Sequence, residues 1–218
     1  MTVTISRLYN SYPDAQAAIK RLEAAGVNHG DISVLASNAD GWYKDGQPAK
    51  PSTFPDRDLD GKDDRAEAAG TGAGVGVALG GTAGVLTGLG LMAIPGVGPI
   101  VAAGWLVSTL AGAAAGGATG GVLGALTQAG VGKDEADVYA ESLRRGGAVV
   151  SARVADADAS RLQAVLDSSA VQAVLDSSAV QVADRGALYR KSGWKTFDPA
   201  ATPYTADQVK KERSLYNM

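Results

Sequence analysis

The feature that most constrains the fold is an uncharged, glycine-rich stretch between Glu67 and Lys133, which holds 20 of the 29 glycines. Small residues recur in it at every fourth position, in two series: Gly72, Gly76, Gly80, Gly84 and Gly88, then Gly104, Ser108, Gly112, Gly116, Gly120 and Gly124. Four residues is slightly more than one helical turn, so each series predicts a bare ridge along a helix. Because a helical glycine costs about 1 kcal/mol relative to alanine, such ridges indicate close packing against another backbone.

A corner with two prolines and two glycines, residues 94–99, separates the two series. We therefore predict a glycine-zipper helical hairpin over residues 67–132, whose two helices pack along their glycines. The uncharged runs 75–94 and 100–126 are long enough to cross a bilayer, and basic residues lie on the side of the two ends. This favours a hairpin in the cytoplasmic membrane with both termini cytoplasmic. The alternative is a soluble cytoplasmic oligomer whose hairpins bury one another.

The rest of the chain predicts strands that alternate with helices. In the first half, a strand at 2–9 and a strand at 32–36 flank a helix with an apolar face, which Gly26 ends. In the second half, a helix capped by Asp134 and ended by Gly146 precedes a strand at 148–154, a helix at 156–166 and a last strand at 180–183. The predicted fold is α+β, a ferredoxin-like two-layer α/β sandwich (βαβ–αβαβ) that the hairpin interrupts.

Four regions follow from this pattern. Residues 1–36 and 133–190 form the split α/β domain, residues 37–66 an acidic linker rich in proline and glycine, residues 67–132 the hairpin, and residues 191–218 an extended tail. The tail combines aromatic residues and prolines with a short charged helix, and we expect it to clasp its own domain or a neighbouring subunit. An exact repeat, residues 164–172 and 173–181, is interpreted as a local duplication that lengthens the preceding helix.

The linker contains one motif with specific chemistry. Residues 56–67 match the calcium-loop pattern D-x-D-x-D-G-x5-E, in which carboxylate and backbone oxygens surround the ion. The candidate ligands are Asp56, Asp58, Asp60, Lys62 (through its carbonyl), Asp64 and Glu67. The alternative is a solvated acidic linker, because Pro55 disfavours an entering helix and Asp63 replaces the usual apolar residue.

Composition limits the other functions. The formal charge of −3 gives no basic excess for nucleic acid, and the absence of cysteine excludes thiolate chemistry and disulfides. His29 is the single histidine and lies in a predicted turn, and the serines of the repeat have no base nearby in sequence. We expect no enzymatic activity, and no cofactor other than calcium.

The chain resembles the YflT-like general stress protein family, also described as a heat-induced stress protein domain. The resemblance rests on the opening strand, residues 15–26 (AQAAIKRLEAAG), residues 31–36 (DISVLA), the glycine-rich stretch and residues 139–150 (YAESLRRGGAVV). It implies a stress-associated protein without established enzymatic activity, and it carries over no catalytic residues. The leading hypothesis is a stress protein that self-associates through its hairpin in or on the cytoplasmic membrane. The alternative is a soluble oligomeric module that responds to a ligand or to calcium.

Overall fold

The computed structural model of the protein describes residues 1–44, 90–107, 109–110, 121–167 and 182–216. These residues form a five-stranded antiparallel sheet with helices, which confirms the α+β class. The strands are β1 (Thr2–Tyr9), β2 (Ile32–Ser37), β3 (Gly90–Ile94), β4 (Gly98–Gly104) and β5 (Ala148–Ala155), in the order β1-β5-β2-β4-β3. The helices are α1 (Tyr12–Ala24), α2 (Gly121–Gln128), α3 (Lys133–Arg144), α4 (Ala159–Asp167), α5 (Val182–Lys191) and α6 (Ala206–Tyr216).

The predicted βαβ unit is present at the start of the chain. Strands β1 and β2 both pair antiparallel with β5, which lies between them, so β1 and β2 run parallel to each other. Helix α1 connects them and buries the predicted apolar face, including Ala15, Ile19 and Leu22. The spacing of apolar residues was sufficient here because α1 has one buried face and one exposed face.

The sheet is covered on both faces, so the predicted two-layer arrangement is wrong. On β5, Val150 belongs to an apolar cluster with residues of α1 and α4, such as Leu22 and Leu162. The neighbouring Val149 belongs to a second cluster with residues of α2 and α3, such as Leu126. Successive side chains of a strand point to opposite faces, so the two clusters lie on opposite sides. The central strands carry apolar residues at consecutive positions, as strands buried on both faces do.

The corner at residues 94–99 joins two strands instead of two helices. Strands β3 and β4 pair from Gly90 opposite Ala102 to Ile94 opposite Gly98, and β4 also pairs with β2. The predicted helices over 75–94 and 100–126 are therefore wrong for residues 90–94 and 100–104. The physical reason is that Ile100 and Val101 are β-branched and are buried in the two opposite clusters, which a strand beside β2 achieves.

Two further expectations are wrong, and others concern residues that the structure does not describe. A last strand was predicted at 180–183, but helix α5 begins at Val182, so the prediction is wrong from Val182 onward. The N-cap of α3 is Gly132 and not Asp134, which lies in the first turn. The remainder of the hairpin, residues 67–89, 108 and 111–120, and the second copy of the repeat lie outside the described residues. In the described part of the chain, no helix combines the length and the hydropathy that a membrane span requires.

The two ends of the sheet have different surroundings. We call the end where β1 and β2 finish and β5 begins the strap end, because the C-terminal tail crosses it. At this end an ideal Cβ on Gly96, in the β3–β4 turn, would lie 2.7 Å from the Cα atom of Pro199. We call the opposite end, where β3 begins and β4 finishes, the insert end. The chain passes from the glycine-rich stretch into β3 at the insert end.

The first residues of the linker are fixed to the domain through Trp42 and Tyr43. The Trp42 ring stacks on Tyr12 with centroids 4.4 Å apart, and its Nε1 donates to the Ser37 carbonyl at 2.7 Å. The Tyr12 hydroxyl is buried beneath this stack and has no hydrogen-bond partner among the described residues. Burial and the neighbouring Tyr43 raise the pKa of Tyr12 to about 12.

We expect Tyr12→Phe to raise the free energy of unfolding by about 1 kcal/mol, because it removes a buried hydroxyl that no partner satisfies. The raised pKa adds a pH effect: the contribution of the neutral phenol is complete below pH 10 and is lost as the pH rises towards 12. Urea unfolding at pH 7 and between pH 10 and 12 measures both. The matched control is Tyr9→Phe, which loses a bond from the hydroxyl to the Leu166 carbonyl and should destabilise. Equal effects of the two changes would contradict the prediction.

Candidate functional site: an arginine cleft under the C-terminal tail

Most residues of the two predicted sites lie outside the described part of the chain. All six candidate calcium ligands, Asp56 to Glu67, fall there, as do the glycines of the first series and most of the second. Among the described residues, no group of three or more acidic or histidine side chains is placed to hold a metal ion. The structure therefore leaves the calcium loop as a prediction.

Gly104 and Gly124 are the two predicted helix-packing residues that the structure describes. Gly124 lies in α2, as a helix residue. Gly104 is the last residue of β4, with φ +89°, and an ideal Cβ on it would lie 2.2 Å from the Ile32 carbonyl oxygen of β2. Two backbones thus do approach closely at Gly104, but they belong to two strands and not to two helices.

The structure instead reveals a polar cleft at the strap end, which we call the arginine cleft. Its lining includes three guanidinium groups: Arg145 after α3, Arg185 on α5 and Arg213 on α6. Ser142, Tyr189 and Asn10 add polar side chains, and Leu8, Tyr9 and Gly147 complete the wall. Helices α3 and α5 approach closely at Gly186, where an ideal Cβ would lie 3.0 Å from Val138. This contact sets the arginines of α5 beside the end of α3.

A fully buried carboxylate, Glu141, holds the cleft residue Arg145 in position. It accepts two bonds from Arg144, from Nε at 2.9 Å and from Nη2 at 2.6 Å. It also accepts a bond from Arg145 Nε at 2.6 Å. The three side chains come from one helix end, because residues three and four positions apart lie on the same face. A buried charge is tolerated only when it is paired, and here two arginines pair with one glutamate.

Arg145 extends this network to the tail. Its Nη1 donates to Glu212 of α6 at 3.2 Å, and its guanidinium lies 4.4 Å from the centre of the Tyr189 ring. Burial lowers the pKa of Arg145, but the hydrogen bond and negative charge of Glu141, with the charge of Glu212, outweigh burial and raise it above the ordinary value. Arg145 therefore keeps its positive charge at neutral pH.

The C-terminal helix α6 is seated on the turn between α3 and β5. Val209 is fully buried against Gly146, which has φ +102° and whose ideal Cβ would lie 2.3 Å from Val209 Cγ1. Arg213 donates to the Gly146 carbonyl at 2.8 Å and to Asp40 at 2.6 Å. The tail thus clasps its own domain in this structure, which was one of the two expectations for it.

The chemistry of the cleft is that of anion binding. The guanidinium groups supply the hydrogen-bond donors, and arginine forms the strongest such bonds with carboxylates and phosphates. The Tyr189 and Ser142 hydroxyls already donate within the protein. Tyr189 donates to Ser142 Oγ at 3.0 Å, and Ser142 donates in turn to the Val138 carbonyl. The described lining holds no histidine or carboxylate that would act as a base on these hydroxyls.

Sequence reasoning missed this cleft. At the end of α3, Arg144 and Arg145 have the local pattern of cations that favour the C-terminal dipole of a helix. The available signal was Glu141, three positions before Arg144 and four before Arg145, a spacing that places the three side chains on one helix face. Arg185 and Arg213 carried no such signal, because only the tertiary structure brings them to the same place.

Comparison with known proteins does not extend these observations. No family model, no curated protein and no solved structure matches the chain. The resemblance to the YflT-like family stays a prediction from the sequence.

Proposed function

We propose that the protein is a non-enzymatic stress protein that self-associates through its two glycine-rich segments, residues 70–89 and 108–120, in or on the cytoplasmic membrane. The β3–β4 hairpin between the two segments is the observation that carries the proposal. This hairpin replaces the helical corner of the sequence hypothesis. Its residues, 90–104, belong to the sheet, so assembly is left to the glycine-rich segments before and after it.

The register of the hairpin supports this proposal. Gly90 lies opposite Ala102, so the chain enters β3 and leaves β4 at the same end of the sheet. Neighbouring strands are about 5 Å apart, so the two glycine-rich segments start side by side. Strand β3 is also an outer strand of the described sheet, and Leu91 on it is exposed. An outer strand with an exposed apolar residue favours association at the insert end.

The double substitution Gly80→Leu/Gly116→Leu is expected to convert the assembly to monomers or to reduce its mass at least twofold. Each leucine adds a side chain at a position where backbones should meet. Light scattering after size exclusion, in plain buffer and in detergent, measures the mass. The matched control is Ala78→Leu/Ala114→Leu, because a residue two positions away faces the other side of a helix. A wild-type monomer in both buffers, or equal masses for the two double variants, would contradict the proposal.

The membrane part of the proposal has a separate measurement. After cell fractionation, the protein should remain in the membrane pellet through a carbonate wash. A protein that is wholly soluble without detergent removes the membrane from the proposal and leaves self-association in place.

For the fold, we propose a variant of the ferredoxin-like arrangement. The split unit of β1, α1 and β2 around β5 supports this. The added pair β3–β4 extends the sheet beyond β2, and helix α5 begins where the fourth strand was expected. An experimental structure in which β1 and β2 are not separated by β5 would overturn it.

The arginine cleft favours a second candidate function, a binding module that responds to a small ligand. Three guanidinium groups in one cleft are notable in a chain of formal charge −3. Calcium remains a part of this second proposal on the sequence pattern alone. Calorimetry with calcium tests that part, and equal heats for wild type and Asp58→Ala/Asp60→Ala would remove it.

A further inference from the structure

We propose that the place of helix α4 on the domain has two alternative occupants within this chain, residues 159–167 and the repeated residues 168–176. The place is the groove that α1 forms with strands β1 and β5, which we call the repeat groove. The structure shows the first occupant, and the sequence repeat supplies the second. The inference goes beyond the proposed function and does not depend on it.

The first copy of the repeat makes specific contacts at the end of α4. Leu166 is fully buried in the same apolar cluster as Ile19, and its carbonyl accepts a bond from the Tyr9 hydroxyl at 3.1 Å. Asp167 accepts two bonds from Arg7, from Nε at 2.5 Å and from Nη2 at 3.0 Å. Such a two-pronged contact fixes geometry as well as charge. An occupant of the groove must therefore supply a leucine followed directly by an aspartate.

The second copy supplies the same groups at the same spacing. Residues 163–167 recur without change as residues 172–176, so the leucine and the aspartate are present again as Leu175 and Asp176. Because the side chains are identical, they can make the same contacts with β1 and α1 once they lie in the groove.

The beginning of the helix is matched as well. Asp158 precedes α4, and Asp167 stands at the corresponding place before residues 168–176. An aspartate at this place favours the N-terminus of a helix. Of the two buried side chains of α4, only Leu162 differs in the second copy, where Val171 replaces it. One lost methylene makes the second occupant less populated by about fourfold.

The two copies use the groove in turn and not together. Nine residues advance an α-helix by two and a half turns, so in one continuous helix the copies would face opposite sides. When the second copy is docked, the connection to α5 shortens and the connection from β5 lengthens by the same number of residues. The closure entropy of a loop varies only with the logarithm of its length, so these two changes largely offset each other.

The shortened connection is long enough to leave α5 in place. Both of its ends are anchored near the end of β1: Arg7 binds the aspartate of the repeat, and the buried Arg185 of α5 donates to Asn10. From Asp176 to Arg185, the nine steps of the chain reach about 30 Å when extended. Arg7 and Asn10 are only roughly 10 Å apart along the strand direction.

The exchange transfers nine residues from one end of the sheet to the other. Helix α4 ends at the strap end, beside Arg7, whereas β5 finishes at the insert end, where Ala155 pairs with Thr2. With the second copy docked, residues 159–167 belong to the connection at the insert end. They then lie at the end of the sheet from which the glycine-rich segments leave.

The test is a mutant cycle on the full-length chain: Leu166→Ala, Leu175→Ala and the two changes together, each followed by urea unfolding. Loss of a fully buried leucine lowers the urea midpoint by about 1.5 M when nothing replaces it. With exchange, the second copy replaces the damaged first copy, so we expect Leu166→Ala to lower the midpoint by no more than about 0.5 M. We expect Leu175→Ala to unfold like wild type, and the double variant to show the full shift or not to fold.

The matched control is Leu22→Ala, which removes a fully buried leucine of the same cluster that the repeat does not duplicate. This variant should show the full shift by itself, and adding Leu175→Ala to it should change nothing. A shift for Leu166→Ala as large as that of the double variant, or a Leu166→Ala protein that does not fold, would overturn the proposal. A shift for Leu22→Ala as small as that for Leu166→Ala would also count against it, because the cluster would then tolerate a lost leucine without exchange.

Discussion

Gly104→Ala is expected to lower the free energy of unfolding by about 3 kcal/mol or more, a loss at the upper end of what single substitutions cause. Two effects add at this position. The residue has φ +89°, a conformation that costs an alanine about 1–2 kcal/mol. In addition, the new methyl group would lie 2.2 Å from the Ile32 carbonyl oxygen, so β4 must move away from β2. Urea unfolding followed by circular dichroism measures the loss.

Gly193→Ala separates the two effects. Gly193 has the same φ of +89°, but an ideal Cβ on it meets no atom of the described residues within 4 Å. This control should therefore lose only the conformational part, about 1 kcal/mol. Equal losses for the two variants would show that β4 does not press against β2 at Gly104, and would contradict the assignment of this glycine to a strand.

Glu141→Gln is the second substitution with a large expected effect, about 3 kcal/mol of stability lost. The glutamine keeps the shape of the side chain and removes its charge. Arg144 and Arg145 then remain close together at a buried helix end without the carboxylate that three of their bonds reach. Breaking one partner of a buried ion pair costs several kcal/mol, because the remaining charge is still out of water. Thermal and urea unfolding report the change.

Two controls fix the interpretation of Glu141→Gln. Glu135→Gln makes the same chemical change on an exposed residue of the same helix and should stay within about 0.5 kcal/mol of wild type. Glu212→Gln removes the more exposed carboxylate that Arg145 contacts and should cost less than about 1 kcal/mol. A loss for Glu141→Gln no larger than that for Glu135→Gln would mean that the network does not stabilise the fold.

The amphipathic elements could be predicted from sequence, and the glycine-rich ones could not. Helix α1 has apolar residues at a single spacing, so its buried face was identified correctly. Strand β1 was also identified, although it buries Ile5 and Leu8 on opposite faces of the sheet. Around residues 94–99, two different structures give the same local pattern. A prolyl-glycyl corner between apolar runs fits a helical corner and a hairpin turn equally well. Only the position next to β2, which buries Ile100 and Val101 on opposite faces, selects the hairpin.

The cleft shows a different limit of sequence reasoning. Its arginines come from positions 145, 185 and 213, so no local spacing relates them. From the sequence alone, Arg144 and Arg145 fit an interaction with the dipole at the end of α3, which is a sufficient interpretation for an exposed helix end. The dipole interpretation is insufficient here, because the sheet, α2 and α5 pack around the C-terminal half of α3. Glu141 is buried there together with the two arginines. The spacing of Glu141, Arg144 and Arg145 along one helix face is the local sign of this network.

The place of β5 between β1 and β2 sets the order in which a growing chain acquires its structure. Among the described strands, β1 pairs only with β5, and β5 begins only after residues 38–147 have been made. At ribosomal speeds of 5–20 residues per second, that delay is roughly 6–20 s. Throughout this interval the N-terminal strand can pack against α1 but has no strand to pair with, while the apolar, glycine-rich middle of the chain is emerging. The time needed to synthesise residues 38–147 therefore sets a lower limit on how long β1 stays unpaired.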